Sequence, residues 1–315
     1  MKKTAKRLIA AGGLFSLLFF FGCGTQSKKD LDTPTRGSIK AAIDDSYRLL
    51  AEAEVYAFES LYKDAHIDTV FKPELQVIED FLNDSVPLII VSRKLTEAQE
   101  KYLNSLQYVP KTTKIAYDAV AFIVNNDNPD TLIFYDKIKE IFLGKINQWQ
   151  QINPKSKLKE LQVVFDDYRS ANPRYFKEKF KIDSLPRCCA AVSSNAEVVN
   201  FVATNKNAMG VVSVNWISDN QDSVSNNFLK KIKVVGITTE GNNDPDARFY
   251  KPFQAYIAES TYPFTREVFC INRQPYHGLA YGFSSFIAGE KGQLIVLRSG
   301  LVPAAMPVRI VEVKK

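Results

Sequence analysis

An unbroken apolar run, Ala119-Val120-Ala121-Phe122-Ile123-Val124, constrains the fold of this 315-residue chain more than any other feature. Such a run is expected of a strand buried on both faces. Asn125-Asn126-Asp127-Asn128-Pro129 ends it with turn-forming residues. A short amphipathic helix is predicted next, with Ile138, Ile141 and Phe142 at helical spacing and Gly144 in the C-terminal stop position.

The same alternation runs along the rest of the chain. Ser38 to Ile43, Pro87 to Val91, Leu161 to Phe165, Val211 to Val214 and Ile232 to Val235 read as strands. Tyr47 to Tyr62, Thr96 to Leu106, Pro173 to Phe180 and Ala196 to Thr204 read as helices. The first of these carries Leu50, Ala53, Ala57 and Leu61 on one face. The Asp118 to Asn125 strand is expected to follow Pro110 and a Lys111-Thr112-Thr113-Lys114 link. Alternation of this kind predicts α/β architecture, with parallel sheets covered by helices on both faces. The length is enough for two ordinary domains or one large one.

The formal charge of +6 misleads, because much of it sits at the N-terminus. Met1-Lys2-Lys3-Thr4-Ala5-Lys6-Arg7 precedes the nearly all-apolar stretch from Leu8 to Phe21. That is the pattern of a signal peptide, too short for an ordinary spanning helix. Gly22-Cys23 supplies the small residue and cysteine of a lipid-attachment site. Removing residues 1–22 takes away four basic residues and no acidic one, leaving 37 basic against 35 acidic, or +2. A near-neutral mature chain gives no reason to expect nucleic-acid binding. Residues 23–36 are polar and aperiodic and read as a lipidated flexible tether. Cys188 and Cys189 are adjacent, which disfavours a bond between them, and an oxidising compartment would allow Cys270 to bridge either. Free thiols are the expected state. His66 and His277 have no neighbours of metal-ligand spacing and no partners of the kind catalysis needs. No metal, cofactor or enzymatic activity is therefore expected.

Three strand-to-helix turns are candidate anion sites, because helix N-termini present free N–H groups. In Ile43-Asp44-Asp45-Ser46-Tyr47-Arg48, Ser46 is placed to cap a helix. In Asp166-Asp167-Tyr168-Arg169-Ser170-Ala171-Asn172-Pro173-Arg174, Asn172 is placed to cap one with Pro173 following. On that register Arg48 and Arg174 each fall at the second helical position, where the macrodipole disfavours a cation. A bound anion would resolve the conflict; so would Asp44 or Asp45 beside Arg48, and Asp166 or Asp167 beside Arg174. Between these turns, Ser92-Arg93 precedes the self-sufficient capping box Thr96-Glu97-Ala98-Gln99, so any ligand groups there would be Ser92 and Arg93 themselves.

The block from Asp118 to Trp149 resembles the phosphate-binding proteins of bacterial ABC importers, of the periplasmic binding protein family in its lipoprotein form. Asp118, Val124-Asn125, Asn128-Pro129, Ile141-Phe142, Gly144, Ile146 and Trp149 carry the match. Tyr262-Pro263-Phe264-Thr265-Arg266, Gly282-Phe283, Gly292-Gln293 and Gly300-Leu301-Val302-Pro303 extend it to the C-terminal part. The resemblance implies an α/β, bilobed periplasmic-binding-protein-like fold, two α/β lobes joined by two hinge crossings near Thr113–Tyr117 and Tyr262–Thr265. Lobe 1 would be residues 37–115 plus 263–315, and lobe 2 residues 116–262. It also implies ligand contacts from Ser46, Ser92, Arg93, Ser170 and Asn172. Arg174 lies in the same turn, and Asp118 stands as a hinge residue or a contact. Ala171-Asn172 replaces the Gly-Thr often found at that place.

The function so implied is capture of inorganic phosphate by an extracytoplasmic, membrane-anchored lipoprotein in the periplasm or at the cell surface. It would act as a monomer and deliver its ligand to an ABC permease. The same fold binding another oxyanion or small anionic metabolite, or a non-transport sensor, is the alternative. Arg93 is expected to supply the main charge. A carboxylate among Asp44, Asp45, Asp166 and Asp167 would accept the proton that phosphate carries and sulfate lacks.

Overall fold

The computed structural model describes residues 31–218, 227 and 229–305. The predicted signal peptide and Cys23 lie outside the described residues. Twelve strands are described: β1 Gly37–Asp44, β2 Ala65–Lys72, β3 Leu88–Val91, β4 Lys111–Asn125, β5 Leu132–Ile133, β6 Gln162–Phe165, β7 Cys189–Ala191, β8 Ala208–Ser213, β9 Ile232–Val234, β10 Gly236–Ile237, β11 Thr265–Asn272 and β12 Val302–Pro303. Ten of them form one sheet with the path β2-β1-β3-β11-β4-β8-β6-β7, with β9 and β12 also pairing with β4. β5 and β10 make a separate parallel pair.

β4 is the spine. Its first half pairs antiparallel with β11, from Lys111 opposite Asn272 to Ala119 opposite Thr265. Its second half pairs antiparallel with β8, from Val120 opposite Ser213 to Val124 opposite Met209. One strand thus belongs to both halves of an α/β fold. On one side β1 is flanked in parallel by β2 and β3; on the other, β6 is flanked in parallel by β7 and β8.

The expectations for the sheet and for the link before β4 need correcting. The sheet is mixed, not parallel throughout, because β11 and β4 run against their neighbours at its centre. The Lys111–Lys114 segment is not a link; it is the start of β4, where Thr112 and Thr113 pair opposite Ile271 and Cys270. β-branched threonines suit such a half-exposed strand. The predicted turn, helix and stop after β4 are as expected. The helix spans Tyr135–Phe142 with Ile138, Ile141 and Phe142 buried, and Gly144 adopts φ +73°, the left-handed region that glycine tolerates best.

The helix Arg48–Leu61 buries a different face from the predicted one. Leu50, Ala51, Glu54 and Phe58 point inward, whereas Ala53 and Leu61 are exposed. Phe58 decides this orientation, packing edge-on against Phe283 and Phe286. Glu54 goes in with it; neither of its carboxylate oxygens has a hydrogen-bond partner. Burial pushes its pKa up to about 9, so it is protonated at neutral pH.

Asp32, inside the 23–36 stretch expected to be a flexible tether, is instead held against the fold. Asp32 accepts hydrogen bonds from Gln274 Nε2 at 2.9 and 3.0 Å, from the Leu279 N–H at 2.5 Å and from the Tyr276 hydroxyl. Leu279 opens the helix Leu279–Ala288, so the carboxylate satisfies a free N–H at its positive end. Cys188, Cys189 and Cys270 are free thiols. Among the described residues no helix is long and apolar enough to cross a membrane.

Candidate functional site

The carboxyl ends of β1, β3, β6 and β8 converge with the start of β11 and the middle of β4, and buried polar residues collect there. Asp44, Ser46, Asp118, Asp166, Ser170, Asn172, Asn195 and Ser213 are all buried, as are Glu74, Ser92 and Arg266. Strand ends expose side chains to the gap between the two halves of the sheet, while helix N-termini face it from outside.

Asp118 and Arg266 face each other across the β4–β11 ladder. Arg266 Nε donates to Asp118 Oδ2 at 2.9 Å, and Ser213 Oγ and the Tyr47 hydroxyl also donate to this carboxylate, at 2.8 and 3.2 Å. Against the cost of burial, neighbouring Tyr47, Asp118 and Asp44 raise the pKa of Arg266, holding its charge firmly. Only Nε of the guanidinium is bonded. Both terminal nitrogens are buried and have no hydrogen-bond partner.

Asp44 caps the short 3-10 turn Asp45–Tyr47, accepting the Ser46 N–H at 2.8 Å through Oδ1. Its Oδ2 and the Ser46 hydroxyl are buried without partners. The expected Ser46 cap is therefore supplied by Asp44 instead, and the serine hydroxyl is left free. Burial, reinforced by Glu74 and Asp166, raises Asp44 to about 7. Burial likewise raises Asp166 to about 6, against hydrogen bonds that favour its charged form. Ser170 Oγ donates to Asp166 Oδ1 at 2.6 Å and Asn172 Nδ2 donates to the same oxygen at 3.3 Å. Asn172 Oδ1, pointing away from that carboxylate, is buried and unpartnered.

The helix after the Asp166–Ser170 turn starts earlier than predicted. It spans Ala171–Phe180 with Ser170 as its cap, so Arg174 falls at the fourth helical position, two residues deeper than expected. Neither Asp166 nor Asp167 neutralises Arg174. Its Nε meets Glu74 Oε2 at 2.5 Å, its NH2 donates to Ser92 Oγ at 2.7 Å, and NH1 pairs with Glu178 at 2.6 Å. Ser92 in turn donates its N–H and hydroxyl to Glu74 Oε1, both at 2.8 Å. Burial opposes the Glu74 charge, but Arg174 and these hydrogen bonds outweigh it and lower the carboxyl pKa. For Arg48 the neutralising reading is the observed one, with Asp45 at 2.8 Å. Asp45 also accepts from Asn195 N and Nδ2, which ties the first turn to the helix Asn195–Thr204.

Arg93 is half-buried and turned aside. Its NH1 donates to the Lys94 carbonyl and to Gln99 Oε1, beside the capping box that Thr96 and Gln99 form as predicted. Of the expected residues, the structure brings Ser46, Ser92, Asp118, Ser170, Asn172 and Arg174 together and places Arg93 at the edge. Sequence reasoning missed Arg266, Glu74 and Asn195. Arg266 lies in the Tyr262–Arg266 motif, but nothing in a linear chain tells that it faces Asp118.

Two α/β halves sharing one spine strand, with buried polar groups gathered where their strand ends meet, define a bilobed ligand-binding protein. A family model described as a PBP superfamily domain matches residues 29–291, and the chain belongs to that family. Among curated proteins, the phosphate-binding protein PstS of Staphylococcus saprophyticus is 25% identical over 211 residues, covering 66% of this chain and 61% of that protein. The chain thus spans about three fifths of that relative's length. PstS of Staphylococcus epidermidis is 22% identical over 274 residues, covering 86% and 79% of the two chains. Among solved structures, a substrate-binding protein from Clostridium perfringens, ascribed to a phosphate ABC transporter and holding phosphate, aligns with TM-score 0.70 at 20% identity. It covers 85% of this chain and 100% of that one. An ABC-type phosphate transport receptor from Vibrio cholerae aligns with TM-score 0.61 at 18% identity, covering 85% and 100%. The structural likeness extends the agreement on the bilobed fold.

Proposed function

We propose that this protein captures inorganic phosphate between its two lobes and delivers it to an ABC permease. The observation that carries the reading is that, among the described residues, most of the buried side-chain polar atoms without partners belong to this one cluster: both terminal nitrogens of Arg266, the Ser46 hydroxyl, Asp44 Oδ2 and Asn172 Oδ1. Buried polar groups are nearly always paired, so a cluster of unpaired ones asks for a ligand that completes it. Arg266 supplies two donor nitrogens of fixed geometry, suited to a tetrahedral oxyanion. Asp44, whose ionised form the neighbouring Arg266 charge favours, then supplies an acceptor, which an oxyanion can satisfy only if it carries a proton. Phosphate meets both demands near neutral pH; sulfate meets only the first.

In this reading Arg266 holds the charge, with Ser46, Asp44 and Asn172 around it. Ser92, Ser170, Arg174 and Asp118 hold the surrounding groups in place, and Arg93 lies at the mouth. Residues 37–115 with 263–315, and 116–262, are the two lobes. The protein acts as an extracytoplasmic monomer without catalytic activity, tethered through lipid on Cys23. The likeness to PstS proteins supports the transport role. Calorimetry on purified, ligand-stripped protein tests the reading: tight binding of phosphate and exclusion of sulfate are expected. Failure to bind phosphate, or equal affinity for sulfate, overturns it.

A further inference from the structure

Asp44 is one acceptor at the site, and by itself it accounts for refusal of a fully deprotonated anion. Asn172 presents a second. Its amide orientation is fixed by its neighbours: Nδ2 donates to Asp166 Oδ1 at 3.3 Å and lies 3.5 Å from Asn195 Oδ1, so oxygens surround that end. Turning the amide over would set Oδ1 against the Asp166 carboxylate. Asn195 is held in turn, because its N–H and Nδ2 both donate to Asp45 Oδ2, at 3.1 and 3.0 Å. Asn172 Oδ1 is thereby committed as an acceptor, and it is fully buried with no partner. Asn195 Nδ2 also donates to Asp166 Oδ2 at 3.3 Å, so hydrogen bonds run from Asn172 through Asp166 and Asn195 to Asp45, the residue next to Asp44, and the two acceptors belong to one cluster.

We propose that Asn172 is a second specificity-determining residue, accepting a hydrogen bond from the second P–OH group of dihydrogen phosphate, the one that Asp44 does not engage. The inference rests on the phosphate reading above and adds that protonated oxyanions are selected twice, once by a carboxylate and once by a neutral amide. Neutralising Asp44 then removes the repulsion of sulfate but leaves a buried acceptor that sulfate cannot satisfy. Such an orphan penalises the wrong ligand by about tenfold or more.

The test measures inorganic phosphate and inorganic sulfate by calorimetry on wild type, Asp44→Asn and the double variant Asp44→Asn/Asn172→Ser. Serine is chosen because its hydroxyl can donate to sulfate as well as accept from phosphate. Asp44→Asn alone should still prefer phosphate by at least about tenfold, and the double variant should bind sulfate at least about tenfold more tightly than the single one. Equal affinities for the two anions in Asp44→Asn overturn the inference, and that variant decides even where the double one fails to fold. Unchanged sulfate affinity in a folded double variant also overturns it. A wild type that binds no phosphate removes the underlying reading, a different result from wild-type phosphate binding with equal affinities in Asp44→Asn.

Discussion

Arg266 and Asp118 form an ion pair, Nε to Oδ2 at 2.9 Å, on the two strands that meet at the centre of the sheet. Both side chains are almost wholly shielded from solvent, at 3% and 0% exposure. Since Asp118 takes only Nε, it aims the guanidinium and leaves the two terminal nitrogens for something else. Three donors from three different elements hold the Asp118 carboxylate itself.

Asp118→Asn should therefore destabilise the protein strongly, because it leaves a buried guanidinium without its countercharge. Breaking one partner of a buried pair costs about 3–5 kcal/mol. Urea denaturation should read a loss of that order, and a loss below about 1 kcal/mol would show that the pair is not needed to hold Arg266.

Arg174 joins the two halves by reaching Glu74 and Ser92. Arg174→Ala should weaken closure and leave Glu74 buried and unpaired. Small-angle scattering at saturating phosphate should show a larger radius of gyration than wild type, with phosphate affinity reduced about tenfold or more. The Glu74 pKa is depressed, so its contribution is present above the ordinary carboxylate range and fades as pH falls through the folded value. Identical scattering profiles for variant and wild type at neutral pH would show that the Arg174 contacts do not hold the two halves together.

Glu54 behaves in the opposite sense. Its folded pKa of about 9 is raised by burial, so between its ordinary value of 4.5 and 9 the folded state holds a proton that the unfolded state releases. Stability contributed by this position is greatest below the unfolded value, declines across that window and levels off above it. Glu54→Gln removes the titration, so the variant should gain about 3 kcal/mol relative to wild type between pH 4 and pH 7. Parallel stability–pH curves for the two proteins would show that Glu54 is ionised in the folded state.

Gly210 sits on β8 under the helix Asn195–Thr204. A Cβ there would come within 2.7 to 2.8 Å of Val202, Ile123 and Val198 side-chain carbons. Gly210→Ala should cost about 1–3 kcal/mol through overpacking. Thermal unfolding checks this; an unchanged midpoint would mean that the helix shifts away without loss.

Much of the local organisation was legible in the chain. The apolar run Ala119–Val124, the Asn-rich turn, the Ile138–Phe142 stripe and the Thr96–Gln99 capping box each depend on neighbours a few residues apart, and each forms as the sequence predicts. The helix Arg48–Leu61 was legible in extent but not in facing. Which stripe turns inward was settled by Phe58 meeting aromatic residues more than two hundred positions away.

The polar cluster divides along the same line. Sequence alone located the turns that carry Asp44, Ser46, Ser92, Ser170 and Asn172, because strand ends and helix starts have a local grammar of turn and capping residues. It could not pair Arg266 with Asp118, 148 residues apart, or Arg174 with Glu74, 100 residues apart. Those partners are fixed by strand order and by how the halves of the sheet meet, and a buried charge takes whichever countercharge the packed chain brings within reach. Local structure was written in neighbouring residues; which atoms of this cluster are left unpaired for a ligand was decided only by tertiary structure, because long-range packing fixes which partners come within reach.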